Sequence, residues 1–427
     1  MSNVEVVAPV ISRRQVLSSR NFRALWLSQA ISTFGDKFTE IAIPILIYNI
    51  TGSPIQLGFA FILQTVSAVI FGLIAGVLSD RWDRRHTMIG SDLIRAVMIL
   101  ALPIIVLMPL SLTVKLVLVY SLSFLMAAVK QFFLPAKIAL IPETVTKEQL
   151  VAANSLDQAT MTLMMFFGAG AAGAVIDWWG VQTAFFIDGG TFLLSAFFVA
   201  LINLEKSRTS PPASTKRETL KDGILEGLGF VWQTPILKGT LLLSVLAPLA
   251  IGAMQPLLLL FARETIQAGN FGYGLLEASF GLGLSLGVML IGKMASSMQR
   301  GRLLTGGVIG MGIGQIIAVA LPLTMLRLPG VNSWWLLGVT FPFFVLGAAA
   351  NGAVLLGLRT IVQENSPRHM IGRVFNVLNM LSSVAITLGA STAGLAKIWD
   401  AGLLLLMWGV FLTIVGLWAS MWKSMQA

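Results

Sequence analysis

The stretch Gly76-Val77-Leu78-Ser79-Asp80-Arg81-Trp82-Asp83-Arg84-Arg85 joins two apolar runs, residues 54–79 and 87–108. Crossing a bilayer as a helix takes about 20 apolar residues. Both runs reach that length, so the charged joint reads as the turn of a transmembrane helical hairpin. Reading outward, the same alternation of long apolar run and short polar break continues along the chain. Further runs fall at 22–49, 112–134, 150–177, 181–204, 236–262, 271–296, 303–326, 333–362, 373–396 and 399–422. They are continuous rather than alternating with period two, which excludes a β-barrel.

Composition agrees. Of 427 residues, 56% are hydrophobic and only 11% charged, against about 25% charged in a soluble domain. Mean hydropathy is +0.84. Soluble multidomain, disordered and coiled-coil architectures lack the polar residues they would need. With 0 Cys and 2 His, a disulfide framework, a catalytic thiol and a His-based metal site are excluded or disfavoured. Residues 1–21 hold Arg13, Arg14 and Arg20 without an apolar core, so they are not read as a cleavable signal peptide.

The net charge of +10 is explained by topology rather than nucleic acid. With the N-terminus placed in the cytoplasm, about 23 of the 29 Lys and Arg fall on the inner side. Lys115, Arg263, Arg327 and Lys397 fall outside, and Lys37 and Arg95 within spans. Both termini are therefore expected in the cytoplasm, facing anionic lipid. Trp178, Trp179, Trp334, Trp335 and Trp399 mark the outer turns; Trp26, Trp232 and Trp422 mark inner ends.

The longest polar stretch, 205–235, contains Ser210-Pro211-Pro212 and the basic residues Lys206, Arg208, Lys216, Arg217 and Lys221. It reads as a cytoplasmic linker between a first half, 1–204, and a second, 236–427. Within it, 218–232 is expected to form an amphipathic surface helix with Ile224, Leu225, Leu228 and Phe230 on its apolar side. The halves repeat weakly: Gly76, Asp80 and Arg84 correspond to Gly292, Ser296 and Arg300, and Ile141-Pro142-Glu143 to Val362-Gln363-Glu364. The expected fold is an all-α polytopic membrane protein of twelve transmembrane helices in two pseudo-symmetric six-helix halves. Duplicated halves place a cavity between them at mid-membrane, and rocking of the halves moves a solute.

These features resemble the major facilitator superfamily. The loop at 76–85 is similar to that family's signature Gly-x-Leu-x-Asp-Arg-x-Gly-Arg-Arg, with Asp83 in place of the usual Gly. Phe34-Gly35-Asp36, Ala42-Ile43-Pro44, Pro135-Ala136-Lys137 and Ala153-Asn154 resemble bacterial macrolide-efflux and enterobactin-export proteins, and also lysophospholipid transporters. The resemblance implies a monomeric multi-pass transporter of the bacterial inner membrane, without a cofactor. It implies proton-coupled antiport of lipophilic or amphipathic small molecules, as in multidrug resistance, with siderophore export or lysophospholipid flipping as alternatives. The family's antiporter signature, Gly-Pro-x-x-Gly-Gly, is changed here to Gly168-Ala169-Gly170-Ala171-Ala172-Gly173.

Ionisable groups inside spans are costly and mark function. Asp36 and Glu40 lie one turn apart on one face of span one. They are either proton or substrate contacts or a satisfied polar lock, with Lys37 expected to pair with a carboxylate on another helix. Asp92 and Arg95 can pair along span three. With Asp157 they are expected to join Gly76, Asp80, Arg81, Arg84 and Arg85 in a cytoplasmic gate, where the arginines meet helix-terminal carbonyls. Asp188 and Glu277 are placed near the outer ends of spans six and eight, in a solvated vestibule. No Walker motif, catalytic triad or metal-ligand spacing occurs, so neither an ATP-driven pump nor an enzyme is expected.

Overall fold

The computed structural model describes residues 13–78, 82–203, 220–294 and 298–426. Among the described residues every regular element is helical. The first half comprises α1 (Arg13–Ser18), α2 (Arg20–Thr51), α3 (Pro54–Leu78), α4 (Arg84–Leu107), α5 (Leu112–Thr144), α6 (Leu150–Trp179) and α7 (Val181–Ala200). After α8 (Leu220–Gln233) the second half comprises α9 (Pro235–Leu260), α10 (Gly269–Met294), α11 (Arg300–Met325), α12 (Ser333–Asn365), α13 (Ile371–Ser391) and α14 (Ala401–Ser420), then the short α15 (Lys423–Gln426). Helices α3–α7 and α9–α14 are long and apolar enough to cross a membrane. The 32-residue α2 is the twelfth span, its apolar run interrupted midway by Asp36, Lys37 and Glu40.

Helix is the economical choice here because a lipid-facing backbone must satisfy its own N–H and C=O groups. Side chains close the termini: Ser19, Asp83, Ser111, Asn332 and Asp400 accept hydrogen bonds from the first-turn amides of α2, α4, α5, α12 and α14. Apolar side chains such as Val97, Leu107 and Val151 stay exposed on the outer surface of the bundle. In a soluble protein so many would be a liability; here they meet lipid.

The packing repeats. In the first half α2 packs on α6 and α7, α4 on α5 and α7, and α3 on α5. In the second, α9 packs on α13 and α14, α11 on α12 and α14, and α10 on α12. Between halves, α6 lies along α10 and α3 along α13, again a matched pair.

One end of the bundle, the basic end, carries Arg20, Arg84, Arg85, Arg300 and Lys423. At the other end the halves are tied together. Tyr48 donates to the Glu264 carboxylate. Arg263 donates to Asn49 Oδ1 at 2.7 Å. Asp177, on the last turn of α6, accepts from the backbone amides of Asn270 and Phe271 at 3.2 and 2.7 Å, closing the free N–H groups that open α10.

Two expectations are corrected. The fourth span does not stop at 134: α5 runs on to Thr144, which brings Lys137 into the helix along with Lys130. The buried Lys137 is neutralised by Asp157 at 2.8 Å, so the charge does not end the helix. The surface helix is present as α8, but it leans on α13 through Gly227 and Val231, with an Arg373–Glu226 ion pair beside them. Leu225 and Leu228 stay exposed. The Ile224 side chain and linker residues 204–219 lie outside the described residues.

Candidate functional site

Four polar residues of α2 converge on the interior of the first half: Asp36, Lys37, Thr39 and Glu40. Gly35 makes this convergence possible. A Cβ there would sit 1.8 Å from Thr191 Oγ1 and 2.6 Å from Asp188 Oδ1, so only glycine lets α2 approach α7 this closely.

Arg95 of α4 is the hub. It is 2% exposed. Its Nη2 donates to Asp92 Oδ1 at 2.6 Å and its Nη1 to Asp36 Oδ1 at 3.2 Å. The guanidinium carbon lies 4.2 Å from the centre of the Phe192 ring and 4.9 Å from that of Phe133. The two aromatic faces supply further attraction to the cation. Asp92, 0% exposed, accepts a second bond from Ser195 Oγ at 2.6 Å. Lys130 of α5 lies 3.1 Å from both Asp36 Oδ2 and Glu40 Oε1, and Lys37 donates to Glu40. Asp188 of α7 is fully buried. Its partners are hydroxyls: Thr39 donates to Oδ2, and Thr191 to Oδ1 at 3.1 Å.

The network thus holds four carboxyl groups, on Asp36, Glu40, Asp92 and Asp188, against three cations, on Lys37, Arg95 and Lys130. Of these four acids, Asp188 alone has no cation at bonding distance among the described residues.

Two cavities meet at this network. One, of about 80 Å³, lies inside the first half against Asp36, Arg95, Lys130 and Asp188. The other, of about 300 Å³, lies between the halves. Its wall includes Lys37, Gln64, Gln255, Tyr273 and Glu277, with Phe61, Met165 and Phe280 as the apolar part. Glu40 and Gln64 line both.

The gate residues lie elsewhere. Arg84 donates to the Ala139 carbonyl at 3.0 Å and pairs with Glu143. Arg85 reaches the Val199 and Ala200 carbonyls at 3.3 and 2.5 Å, at the end of α7. The matched Arg300 pairs with Glu364 at 3.2 Å. In each half the first turn of the third span is therefore tied to the last turn of the fourth. Asp83 caps α4; the His86 amide donating to it holds its carboxyl below the usual carboxylate range. Asp80 and Arg81 lie outside the described residues, and Gly76 is described only as part of α3.

Several sequence expectations change. Lys37 does not reach another helix but folds back on Glu40, three residues on, which its long side chain permits. Asp92 and Arg95 pair as expected, yet belong to the interior network rather than to the arginines at the basic end. Asp157 binds Lys137 inside the helix pair α5–α6 rather than joining that gate. Asp188 is sealed in the first half, not solvated at a vestibule, because Gly35 brings α2 against it. Glu277 faces the cavity between the halves. Lys130, Lys137 and Asp177 escaped sequence reasoning. For the lysines the missed signal is the apolar pattern Phe132-Phe133-Leu134 and Ile138-Ala139-Leu140 continuing past them.

A model of the Major Facilitator Superfamily matches residues 25–390, and the chain belongs to that family. It is a multi-pass membrane transporter. Macrolide efflux protein A of Streptococcus pyogenes is 25% identical over 86% of this chain and 87% of its own length. The enterobactin exporter EntS of Escherichia coli O1:K1 is 25% identical over 92% and 91%. A bacterial homologue of the iron transporter ferroportin, solved in an inward-facing state, superposes with a TM-score of 0.70 at 14% identity, over 94% of this chain and 99% of that one. That last likeness concerns the fold alone.

Proposed function

We propose that the protein is a secondary exporter of amphipathic small molecules that exchanges its solute for protons by alternating access. Both termini and the 205–235 linker face the cytoplasm, and residues 1–204 and 236–427 rock against each other. The observation that carries this reading is the cavity of about 300 Å³ between the halves, one wall of which is continuous with the first-half ion network through Glu40 and Gln64. Its Met and Phe side chains suit varied lipophilic bodies, and its amides and charges orient a polar end. The ties at the end opposite the basic one favour a state open toward the cytoplasm.

The charge balance supplies the proton. With four acids against three cations, the network is neutral only when one carboxyl carries a proton, and a net charge is costly in an apolar surround. Asp188, held by hydroxyls alone, is the carboxyl best placed to carry it. Losing that proton makes Asp36 and Asp188 compete for Arg95 and Lys130, and Lys130 in turn holds Glu40 at the cavity wall. Solute and proton are then linked through Glu40.

The test is flux in proteoliposomes with a panel of amphipathic anions, cations and neutral solutes under an imposed pH gradient. A carrier gives flux that saturates with solute and follows the proton gradient. Flux linear in concentration and indifferent to the gradient would indicate a channel and defeat the reading.

A further inference from the structure

The second half holds a cavity of about 320 Å³ of its own, toward the basic end, walled by α9, α11, α12 and α13. Pro248 has no N–H to give the Ser244 carbonyl four residues back, and Ser382 Oγ of α13 takes that carbonyl instead, at 2.6 Å. About two turns further along α13, a Cβ on Gly389 would stand 1.9 Å from the Leu249 carbonyl, so α9 and α13 are pressed together there. Toward the basic end the same helices wall the open space.

Most of the lining is apolar, including Ile251, Leu358 and Phe375. Apart from Ser382, its polar side chains have no hydrogen-bond partner among the described residues. Ser244 is 4% exposed and its Oγ is buried without a hydrogen bond. Asn351 is 7% exposed, and its amide makes no hydrogen bond among the described residues. Arg359 lines the same space, and among the described residues it forms no hydrogen bond or ion pair. In the first half a lysine on the matched helix α5, Lys137, is neutralised by Asp157 of α6. The matched helix α13 contains no acid and offers Asn379 to the cavity. A guanidinium and uncommitted donors around an apolar chamber form half of a charge-assisted contact.

We infer that this chamber binds the head group of an amphipathic organic anion, with Arg359 on the oxyanion, Asn351 and Asn379 donating to it, and Ile251, Leu358 and Phe375 enclosing its apolar body. The inference rests on the exporter reading for the claim that this occupant is cargo, and narrows the cargo to anions.

Because the chain has 0 Cys, a single reporter thiol is clean. The Asn379→Cys protein is alkylated with N-ethylmaleimide in the presence of decanesulfonate, a permanent anion, or of decyltrimethylammonium, its cationic counterpart. Decanesulfonate should slow alkylation and decyltrimethylammonium should not. Adding Arg359→Gln should weaken decanesulfonate protection about 10- to 100-fold in concentration, while Arg359→Lys retains part of it. Equal protection by both probes, or protection that survives Arg359→Gln, overturns the site. Labelling reports occupancy whether or not anything is transported. Arg359-dependent protection without decanesulfonate flux would therefore keep the anion site and reject the exporter reading for this class.

Discussion

The two halves share a packing diagram and differ in what fills it. Helix pair α4–α7 in the first half is joined through Arg95, Asp92, Phe192 and Ser195. The matched pair α11–α14 is joined by a neutral bond, Gln315 Nε2 donating to the Leu405 carbonyl at 2.8 Å. The first half surrounds a cavity of about 80 Å³ with an ion network; the second surrounds one of about 320 Å³ with a largely apolar wall. Under the proposed exchange of solute for protons, this difference would divide the labour, with proton chemistry in one half and apolar capacity in the other. The difference arises because few ionisable side chains enter the interior of α9–α14, where Glu277 faces the cavity between the halves and Arg359 lines the chamber as an exposed residue, while α2, α4, α5 and α7 each contribute at least one.

The largest expected effect separates these two joints. Arg95→Leu strands the buried Asp92 and half of Asp36's pairing, at a cost of about 3–5 kcal/mol. Gln315→Leu removes one neutral bond, about 1 kcal/mol. Thermal unfolding of the purified variants in detergent checks this, and equal losses would mean that the ion network does not hold the first half together.

A smaller effect lies at the matched turns before α4 and α11. Asp83 caps α4 through the His86 amide, whereas Gln299, the residue before α11, makes no such side-chain bond. Asp83→Ala should cost about 1 kcal/mol, and Gln299→Ala should stay within about 0.5 kcal/mol. The pH dependence has a definite sign. The cap lowers the folded-state pKa of Asp83, so its stabilisation is present above the ordinary carboxylate pKa and is lost as pH falls through the lower, folded value. The gap between Asp83→Ala and the parent protein should narrow at acid pH. A gap constant from neutral to strongly acidic pH would argue against the cap.

Twelve spans, the basic asymmetry and the repeat were legible because each is written in runs of one residue class: apolar stretches, arginine-rich breaks, matched turns. Arg84 and Arg85 were equally legible, since a loop arginine beside a helix end finds carbonyls. The interior network was only partly so. Asp36, Glu40, Asp92 and Arg95 stand out as charges in apolar runs. Their partners depend on which helix faces span one, and that is set by Gly35 against Thr191 and by the true length of α5. Local spacing carries neither. Asp188 shows the same limit: its position along α7 suggested a vestibule, and only the close approach of α2 buries it.

The central claim, that the charge imbalance of the first half couples solute to proton, is tested most directly by solute-driven proton movement. Proteoliposomes enclosing a pH dye, with parent, Asp188→Asn and Gln315→Leu proteins, are given a solute that shows saturable flux. The account predicts proton movement with the parent and with Gln315→Leu. With Asp188→Asn it predicts loss of about tenfold or more in proton movement while downhill solute exchange persists, because the amide oxygen keeps one hydroxyl donor, the other hydroxyl turns to accept from the amide N–H, and the amide carries no titratable proton. Full proton movement with Asp188→Asn would contradict it.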